Sequence, residues 1–170
     1  MQEQQGEGRL AWVLSDGHTA STDYFLFPWL ARQGYLTELA DTRRPPSAGE
    51  MAKVPDMMVI SRYLPATWFG LVSGMSQQGV EIVYFMDDDL FDWRVLRGLP
   101  WRYRWKIIRR ALLQYNKLRK LCSQFLVSTP YLAEKYAHLN PSSLSPLPVI
   151  NSDTEKGIRI CYHGTASHSR

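Results

Sequence analysis

Cysteine is scarce in this sequence, and a long uncharged hydrophobic run is absent. Cys122 and Cys161 are the only cysteines among 170 residues, which excludes a disulfide-rich scaffold and makes a reducing compartment the default. The polar start MQEQQGEGR is followed by the short apolar run LAWVL, so we expect neither a signal peptide nor a membrane-spanning helix. These absences predict a cytoplasmic protein whose contact with a membrane, where one exists, is peripheral.

Common catalytic fingerprints are missing as well. The sequence contains no G-x-S-x-G nucleophile elbow, no Walker-type phosphate loop and no dinucleotide-binding glycine pattern, and its two cysteines lack metal-ligand spacing. The missing glycine-rich first turn argues against a nicotinamide enzyme. It does not exclude a nucleotide sugar as substrate, and neither a metal nor a cofactor is expected.

The sequence contains enough hydrophobic residues to form a globular core. Hydrophobic residues make up 45% of the chain and aromatic residues 12%. Strand-like apolar runs alternate with helix-like segments, which predicts an α/β, Rossmann-like fold with a mostly parallel sheet and helices on both faces. The predicted strands cover 9–15, 35–40, 57–63, 80–86 and 124–129, the predicted helices lie within 16–34, 65–79, 99–122 and 130–139, and 41–56 is predicted as a loop.

Proline, serine and asparagine concentrate near the carboxyl end of the sequence, in NPSSLSPLPVINSDTEKG. This composition is typical of a linker, and the strand-like run IRICYHG follows it. We therefore expect a fragment of a longer protein, inactive on its own. The predicted parts are a tail at 1–8, a Rossmann-like domain at 9–139, a linker at 140–157 and the start of a second domain at 158–170.

The residues that follow each predicted strand are the functional candidates, because ligands of open parallel sheets bind beyond the carboxyl ends of the strands. Many of them are small or polar, as a sugar or phosphate site requires. The plainer alternative is that strand ends are polar because they meet water and cap the next helix. The candidates are Ser15, Asp16, Gly17, His18, Ser61, Arg62, Asp87, Asp88, Asp89, Ser128, Thr129, Gly164 and Thr165.

The order of several motifs resembles a known family. MMVISRYLP, VEIVYFMDDDLFDW, FLVSTPYLAEKYA, PLPVIN and IRICYHGTASHSR follow one another as in the amino-terminal half of a GT-B glycosyltransferase of the large bacterial family that uses nucleotide sugars. The resemblance covers residues 57–170 and reaches the first strand of the carboxyl-terminal half. It implies that the first domain binds a hydroxyl acceptor and the second binds the nucleotide sugar, in the synthesis of a cell-surface polysaccharide or a lipid-linked precursor.

Glycosyl transfer requires an oriented acceptor hydroxyl and a stabilised leaving diphosphate, and this chemistry gives the candidates their roles. The triplet binds acceptor hydroxyls or supplies a general base; alternatively, one acid caps the next segment and another pairs with a basic side chain such as Arg62. His18 is also compatible with a plain surface histidine. The catalytic candidates are Asp87, Asp88 and Asp89; the acceptor-binding candidates are Asp16, Gly17, His18, Arg62 and Ser128; the donor-binding candidates are Gly164, Thr165 and His168.

Two further classes of protein remain open at this stage. Asp87 and Asp89 have the Asp-x-Asp spacing with which GT-A glycosyltransferases hold manganese or magnesium, although the position of the triplet amid repeated βα units argues against that class. A non-enzymatic Rossmann-like module that binds a partner is the other alternative. Tight manganese binding that is lost when both acids are changed to asparagine would favour the GT-A class. Salt-sensitive binding to nucleic acid, without affinity for a nucleotide sugar, would favour the non-enzymatic module.

The segment WRYRWKIIRRALLQYNKLRKLCSQ is basic and amphipathic, in a chain whose net charge is +4. Packing of its apolar stripe against the sheet is the favoured interpretation, with the charges left in water. Peripheral contact with an anionic membrane through residues 101–122 is the alternative. Nucleic acid is not an expected partner, because no nucleic-acid-binding motif accompanies the charge. The apolar stripe comprises Trp101, Trp105, Ile108, Leu112, Tyr115 and Cys122.

Overall fold

The structure of the protein is a computed structural model that describes residues 8–89, 91–92, 100–102, 104–105 and 114–147. Within these residues, six strands form one sheet in the order β2-β1-β3-β4-β5-β6, and every neighbouring pair is parallel. The predicted α/β, Rossmann-like fold with a parallel sheet is therefore confirmed. The strands are β1 (Arg9–Ser15), β2 (Tyr35–Asp41), β3 (Met57–Ser61), β4 (Glu81–Met86), β5 (Gln124–Val127) and β6 (Ser142–Ser143).

Helices cover both faces of the sheet, as predicted. One face packs against the third, fourth and fifth helices through side chains such as Trp68, Leu118 and Leu132. The other packs against the first helix through Leu30 and against the π-helical turn before it through Leu26. No helix among the described residues is long and apolar enough to cross a bilayer. The helices are α1 (Phe27–Arg32), which follows a π-helical turn (Thr22–Leu26), then α2 (Ala48–Ala52), α3 (Ala66–Gln77), α4 (Tyr115–Leu121) and α5 (Pro130–Lys135), followed by a 3-10 turn (Ala137–Leu139).

The central strands read as continuous apolar runs because both of their faces are buried. In β1, Trp12 and Leu14 belong to one core cluster, and Ala11 and Val13 belong to the cluster on the opposite face. Successive strand side chains point to opposite faces, so a strand covered by helices on both sides needs apolar residues at every position. The sequence signal was strong here for that reason, and the predicted 9–15 agrees with the observed strand at both ends.

The structure differs from the sequence expectations in several places. The fifth strand ends at Val127 rather than at residue 129. Residues 41–56 are not all loop, because they contain α2. The third strand ends at Ser61 rather than at residue 63, because Arg62 has a φ of 65° and leaves the extended conformation. The segment predicted as a linker contributes the short edge strand β6. The predicted second domain at 158–170 lies outside the described residues.

The short helix α2 begins with a capping box that the loop prediction missed. The Ser47 hydroxyl accepts from the Glu50 backbone N–H, and the Glu50 carboxylate accepts from the Ser47 backbone N–H at 2.7 Å. Arg44 donates two hydrogen bonds to the same carboxylate, at 2.7 and 2.8 Å. These bonds, chiefly those from Arg44, lower the pKa of Glu50 to about 2.

Removing the Glu50 charge should therefore make the protein less sensitive to acid. A folded-state pKa below the unfolded value contributes stability above about pH 4.3, which is lost as pH falls towards the folded pKa. We expect Glu50→Gln to lower the free energy of unfolding by about 1 kcal/mol at neutral pH, as loss of a cap does, with the difference from wild type shrinking below about pH 4. Urea unfolding across this range measures it, and the exposed Glu134→Gln in α5 is the control. A difference that stays constant with pH would contradict the assignment.

Candidate functional site

The candidate site lies where the chain changes direction across the sheet. From β1, the chain passes first to β2 on one side and then to β3 on the other side of β1. In sheets of this kind, the loops beyond the carboxyl ends of the two strands at such a switch point diverge and leave a crevice. The loops that follow β1, β3, β4 and β5 supply the acidic triplet and several of its partners.

Asp87 ties together three of these loops. Its carboxylate accepts a hydrogen bond from the Ser21 hydroxyl and another from Arg62 Nε at 2.7 Å, and its backbone carbonyl accepts from Ser128 Oγ at 3.2 Å. The Asp87 side chain is only 14% exposed. Asp87 therefore acts as an anchor between the loops after β1, β3 and β5, with little surface left for a ligand.

Arg62 adopts a backbone conformation that arginine seldom takes. Its φ of 65° lies in the left-handed region, and non-glycine residues are uncommon there. Two hydrogen bonds hold this turn: the Tyr84 hydroxyl donates to the Arg62 carbonyl at 2.7 Å, and the Arg62 N–H donates to the Phe85 carbonyl at 3.2 Å. The turn places the guanidinium between two carboxylates, because Nε pairs with Asp87 and Nη2 pairs with Asp88.

Asp88 is the exposed member of the triplet. Its side chain is 57% exposed, against 14% for Asp87 and 12% for Asp89. The contact with Arg62 orients the Asp88 carboxylate while leaving it open to solvent. Among the three acids, Asp88 is therefore the one that a ligand in the crevice can reach.

Asp89 points to a different set of partners, at the end of α5. Its carboxylate accepts hydrogen bonds from the Lys135 ammonium and from the Tyr136 hydroxyl, and Lys135 also pairs with Asp92. The hydrogen bonds from Lys135 to the two aspartates raise the pKa of the lysine. Burial, followed by the hydrogen bond to Asp89, raises the pKa of Tyr136. Arg62 on one side and Lys135 on the other thus place cations beside the triplet, which offsets the mutual repulsion of adjacent carboxylates.

The Tyr84 hydroxyl is a support for the Arg62 turn that can be removed cleanly. Tyr84 is fully buried, and burial is the main reason that its pKa is raised. We expect Tyr84→Phe to lower the free energy of unfolding by about 1 kcal/mol, because the change removes one buried hydrogen bond and leaves the Arg62 carbonyl without that donor. Urea unfolding measures the effect, and the same change at the exposed Tyr24 is the control. Equal, negligible effects of the two changes would show that the hydroxyl does not support the turn.

A small cavity opens beside the acidic network, at the carboxyl ends of β1 and β2. Its volume is about 230 Å³, and Asp16, Thr42, Arg43, Arg44 and Thr67 are among the residues that line it. Thr42 donates to Asp16 at 2.8 Å. The two arginines do not face the cavity as free cations, because Arg43 pairs with Asp41 and Arg44 with Glu50. The lining of the cavity thus contains hydrogen-bond acceptors, on Asp16, and hydrogen-bond donors, on the two arginines. This combination suits a hydroxyl-rich ligand.

The structure brings together some of the predicted site residues but not all of them. Arg62, Ser128 and the triplet form one network, and Asp16 lies in the adjacent cavity, near Gly17, whose φ of 107° favours glycine. His18 pairs with Asp23 at 2.9 Å and packs edge-on against Phe27, so the loop after β1 reaches the triplet through Ser21 instead. The predicted donor-binding residues Gly164, Thr165 and His168 lie outside the described residues.

Four residues of the network escaped sequence analysis. The hydroxyl of Ser21 lies 66 positions before its partner Asp87, and Lys135 and Tyr136 lie 46 and 47 positions after Asp89. No local spacing links residues so far apart, so a single sequence carries no signal for these pairs. The fourth, Tyr84, was predicted only as part of a buried strand.

The geometry does not favour the Asp-x-Asp metal site of the GT-A alternative. Asp87 pairs with Arg62, whereas Asp89 pairs with Lys135, so the two carboxylates point to separate cations. A divalent cation would have to displace both ion pairs and rotate the carboxylates towards each other. Within the part of the chain that the structure describes, no three His, Cys, Asp or Glu side chains are grouped as ligands for a metal ion.

Fold and site together define a Rossmann-like α/β protein with an ion-paired acidic network at the carboxyl edge of its sheet. The chain matches no protein-family model, and no curated protein matches it. The site and the order of motifs in the sequence are therefore the two indications of function.

Proposed function

We propose that this chain is the acceptor-side domain of a GT-B glycosyltransferase, which transfers a sugar from a nucleotide-sugar donor to a hydroxyl acceptor in the synthesis of a cell-surface polysaccharide. The observation that carries the proposal is the exposed Asp88 carboxylate, which Arg62 from the loop after β3 contacts at the carboxyl edge of a parallel sheet. An oriented, solvent-accessible carboxylate at this position can accept a hydrogen bond from an incoming sugar hydroxyl.

In the proposed reaction, a bond forms between the acceptor oxygen and the anomeric carbon while the bond to the diphosphate breaks. The acceptor hydroxyl gives up its proton, and Asp88 is the group placed to receive it or to orient the hydroxyl. Arg62 keeps the Asp88 side chain in position. Asp87 and Asp89 fix the loop through buried contacts, so their role is positioning.

The cavity next to the network is the proposed place for the rest of the acceptor. Asp16 is exposed and supplies carboxylate oxygen atoms there, and the guanidinium groups of Arg43 and Arg44 supply donors, a mixture that matches sugar hydroxyls. The nucleotide sugar is the second substrate rather than a cofactor. Gly164, Thr165 and His168 remain the proposed contacts of its diphosphate.

A thermal-unfolding screen of the full-length protein against nucleotide sugars tests the proposal. A donor present at about one hundred times its dissociation constant stabilises the native state by about 2.7 kcal/mol, which raises the melting temperature by several degrees. We expect one class of nucleotide sugar to produce this shift and free nucleoside to produce less. The absence of a shift with every donor would contradict the assignment.

A manganese titration separates the GT-A alternative from this proposal. Stoichiometric manganese binding that disappears in the double variant Asp87→Asn/Asp89→Asn would replace the GT-B assignment with a metal-dependent one. We expect donor binding to be unaffected by a chelator, because the two carboxylates are already paired with Arg62 and Lys135.

A further inference from the structure

Two exposed tryptophans stand out on the surface of the described residues. Trp101 is 72% exposed and Trp105 is 56% exposed, although tryptophan is among the side chains that gain most from burial. Residues 101–102 and 104–105 are helical, and the Arg104 N–H donates to the Pro100 carbonyl at 3.0 Å, as in an α-helical turn. Side chains four positions apart in a helix lie on the same face, so the two indoles form one aromatic surface.

The favoured interpretation of the basic segment is that its apolar stripe packs against the sheet. The structure shows that this packing does not extend along the whole segment. Leu118 and Cys122, at its carboxyl end, are buried in the core cluster with α3 and α5. Trp101 and Trp105, at its amino end, are exposed instead. Among the described residues, the apolar stripe thus has a buried part that stabilises the fold and an exposed part, while Ile108 and Leu112 lie outside the described residues.

The charged residues of the segment that carries the tryptophans are all of one sign. Arg102 is exposed, and its guanidinium carbon lies 5.8 Å from the centre of the Trp101 ring. Between residues 101 and 120 there is no acidic residue. A partner for this surface must therefore be anionic and must also accept two large aromatic rings. The basic residues of this stretch are Arg102, Arg104, Lys106, Arg109, Arg110, Lys117, Arg119 and Lys120.

We propose that the surface formed by Trp101, Arg102 and Trp105 docks on an anionic lipid bilayer. Indole rings settle at the boundary between headgroups and acyl chains, where the ring is desolvated and its N–H remains hydrogen-bonded. Arginine beside them attracts lipid phosphates, and each basic residue near an anionic surface adds to the binding free energy. One bilayer surface thus satisfies both requirements. The proposal does not depend on sugar transfer.

Binding of the purified chain to lipid vesicles tests the proposal that this surface docks on an anionic bilayer. We expect the chain to sediment with vesicles of equal parts phosphatidylcholine and phosphatidylglycerol, to bind phosphatidylcholine vesicles much more weakly, and to lose affinity as salt rises. Brominated lipids should quench the tryptophan fluorescence. The double variant Trp101→Ala/Trp105→Ala should bind about tenfold more weakly or worse, since two rings no longer enter the interface. Arg102→Glu should weaken binding about fivefold or more.

Matched variants on other surfaces complete the experiment. Leu36→Ala removes an exposed apolar side chain on β2, and Arg32→Glu reverses an exposed charge on α1; both should bind vesicles like wild type. Cooperative unfolding of each variant confirms that it is folded. Undiminished vesicle binding by the double tryptophan variant, equal loss in the controls, or a lack of binding to anionic vesicles would overturn the proposal. So would a single-stranded oligonucleotide that binds more tightly than the vesicles and displaces them.

Discussion

Asp88→Asn in the full-length protein should slow sugar transfer by roughly ten- to a thousandfold, the loss that follows removal of one positioned acid-base or hydrogen-bonding group. The change keeps the size of the side chain and removes its charge. Because Asp88 is the exposed acid of the triplet and pairs with Arg62 near the surface, the free energy of unfolding should change by less than about 0.5 kcal/mol. Initial rates and urea unfolding of the same preparation measure the two quantities.

Asp87→Asn is the matched control, because it makes the same chemical change at the preceding residue. The Asp87 carboxylate is largely buried and accepts from Ser21 and Arg62, so its replacement should cost about 1–3 kcal/mol of stability. Wild-type turnover by the Asp88 variant would reduce the triplet to a structural role. If Asp88 is the general base, its variant should also lose the acidic limb of the pH-rate profile, which a purely orienting residue would leave in place.

The sequence was sufficient to predict the sheet, because buried parallel strands carry a strong and local signal. The run MMVI is apolar at every position since its residues pack on both faces, and IVYFM has the same property. Strand ends depend on weaker effects. Arg62 carries no local mark of its positive φ, which is held by a hydrogen bond from Tyr84, 22 positions away.

Only part of the site could be predicted. The rule that ligands bind beyond the carboxyl ends of the strands placed Asp87, Asp88 and Asp89 correctly on that edge of the sheet. It could not show which acid is exposed, because that depends on Arg62 and Lys135, which approach from other loops. Long-range pairs of this kind are fixed by the packing of α5 against the sheet and leave no periodic pattern in the chain.

Trp68→Ala should cause the largest loss of stability among single substitutions considered, about 3–5 kcal/mol. Trp68 is fully buried, with 0% solvent exposure, in the core cluster between α3 and the sheet. Its indole N–H also donates to the Arg44 carbonyl at 2.7 Å, which ties the loop after β2 to the core. The variant therefore loses packing and a loop anchor together, and its melting temperature should fall by roughly 10 °C.

Comparison of two smaller changes separates these contributions. Trp68→Phe and Trp12→Phe each replace a buried indole with a smaller ring. The Trp68 N–H donates to Arg44, whereas the Trp12 N–H has no hydrogen-bond partner within the described part of the chain. If the bond to Arg44 matters, Trp68→Phe should cost about 1 kcal/mol more than Trp12→Phe, since only the first change leaves a carbonyl without its donor. Equal costs would assign the whole effect to packing. The loop that Trp68 anchors carries Thr42, Arg43 and Arg44, which line the cavity. We therefore also expect Trp68→Phe to weaken binding of a saccharide acceptor in that cavity. Trp12→Phe should leave this binding unchanged.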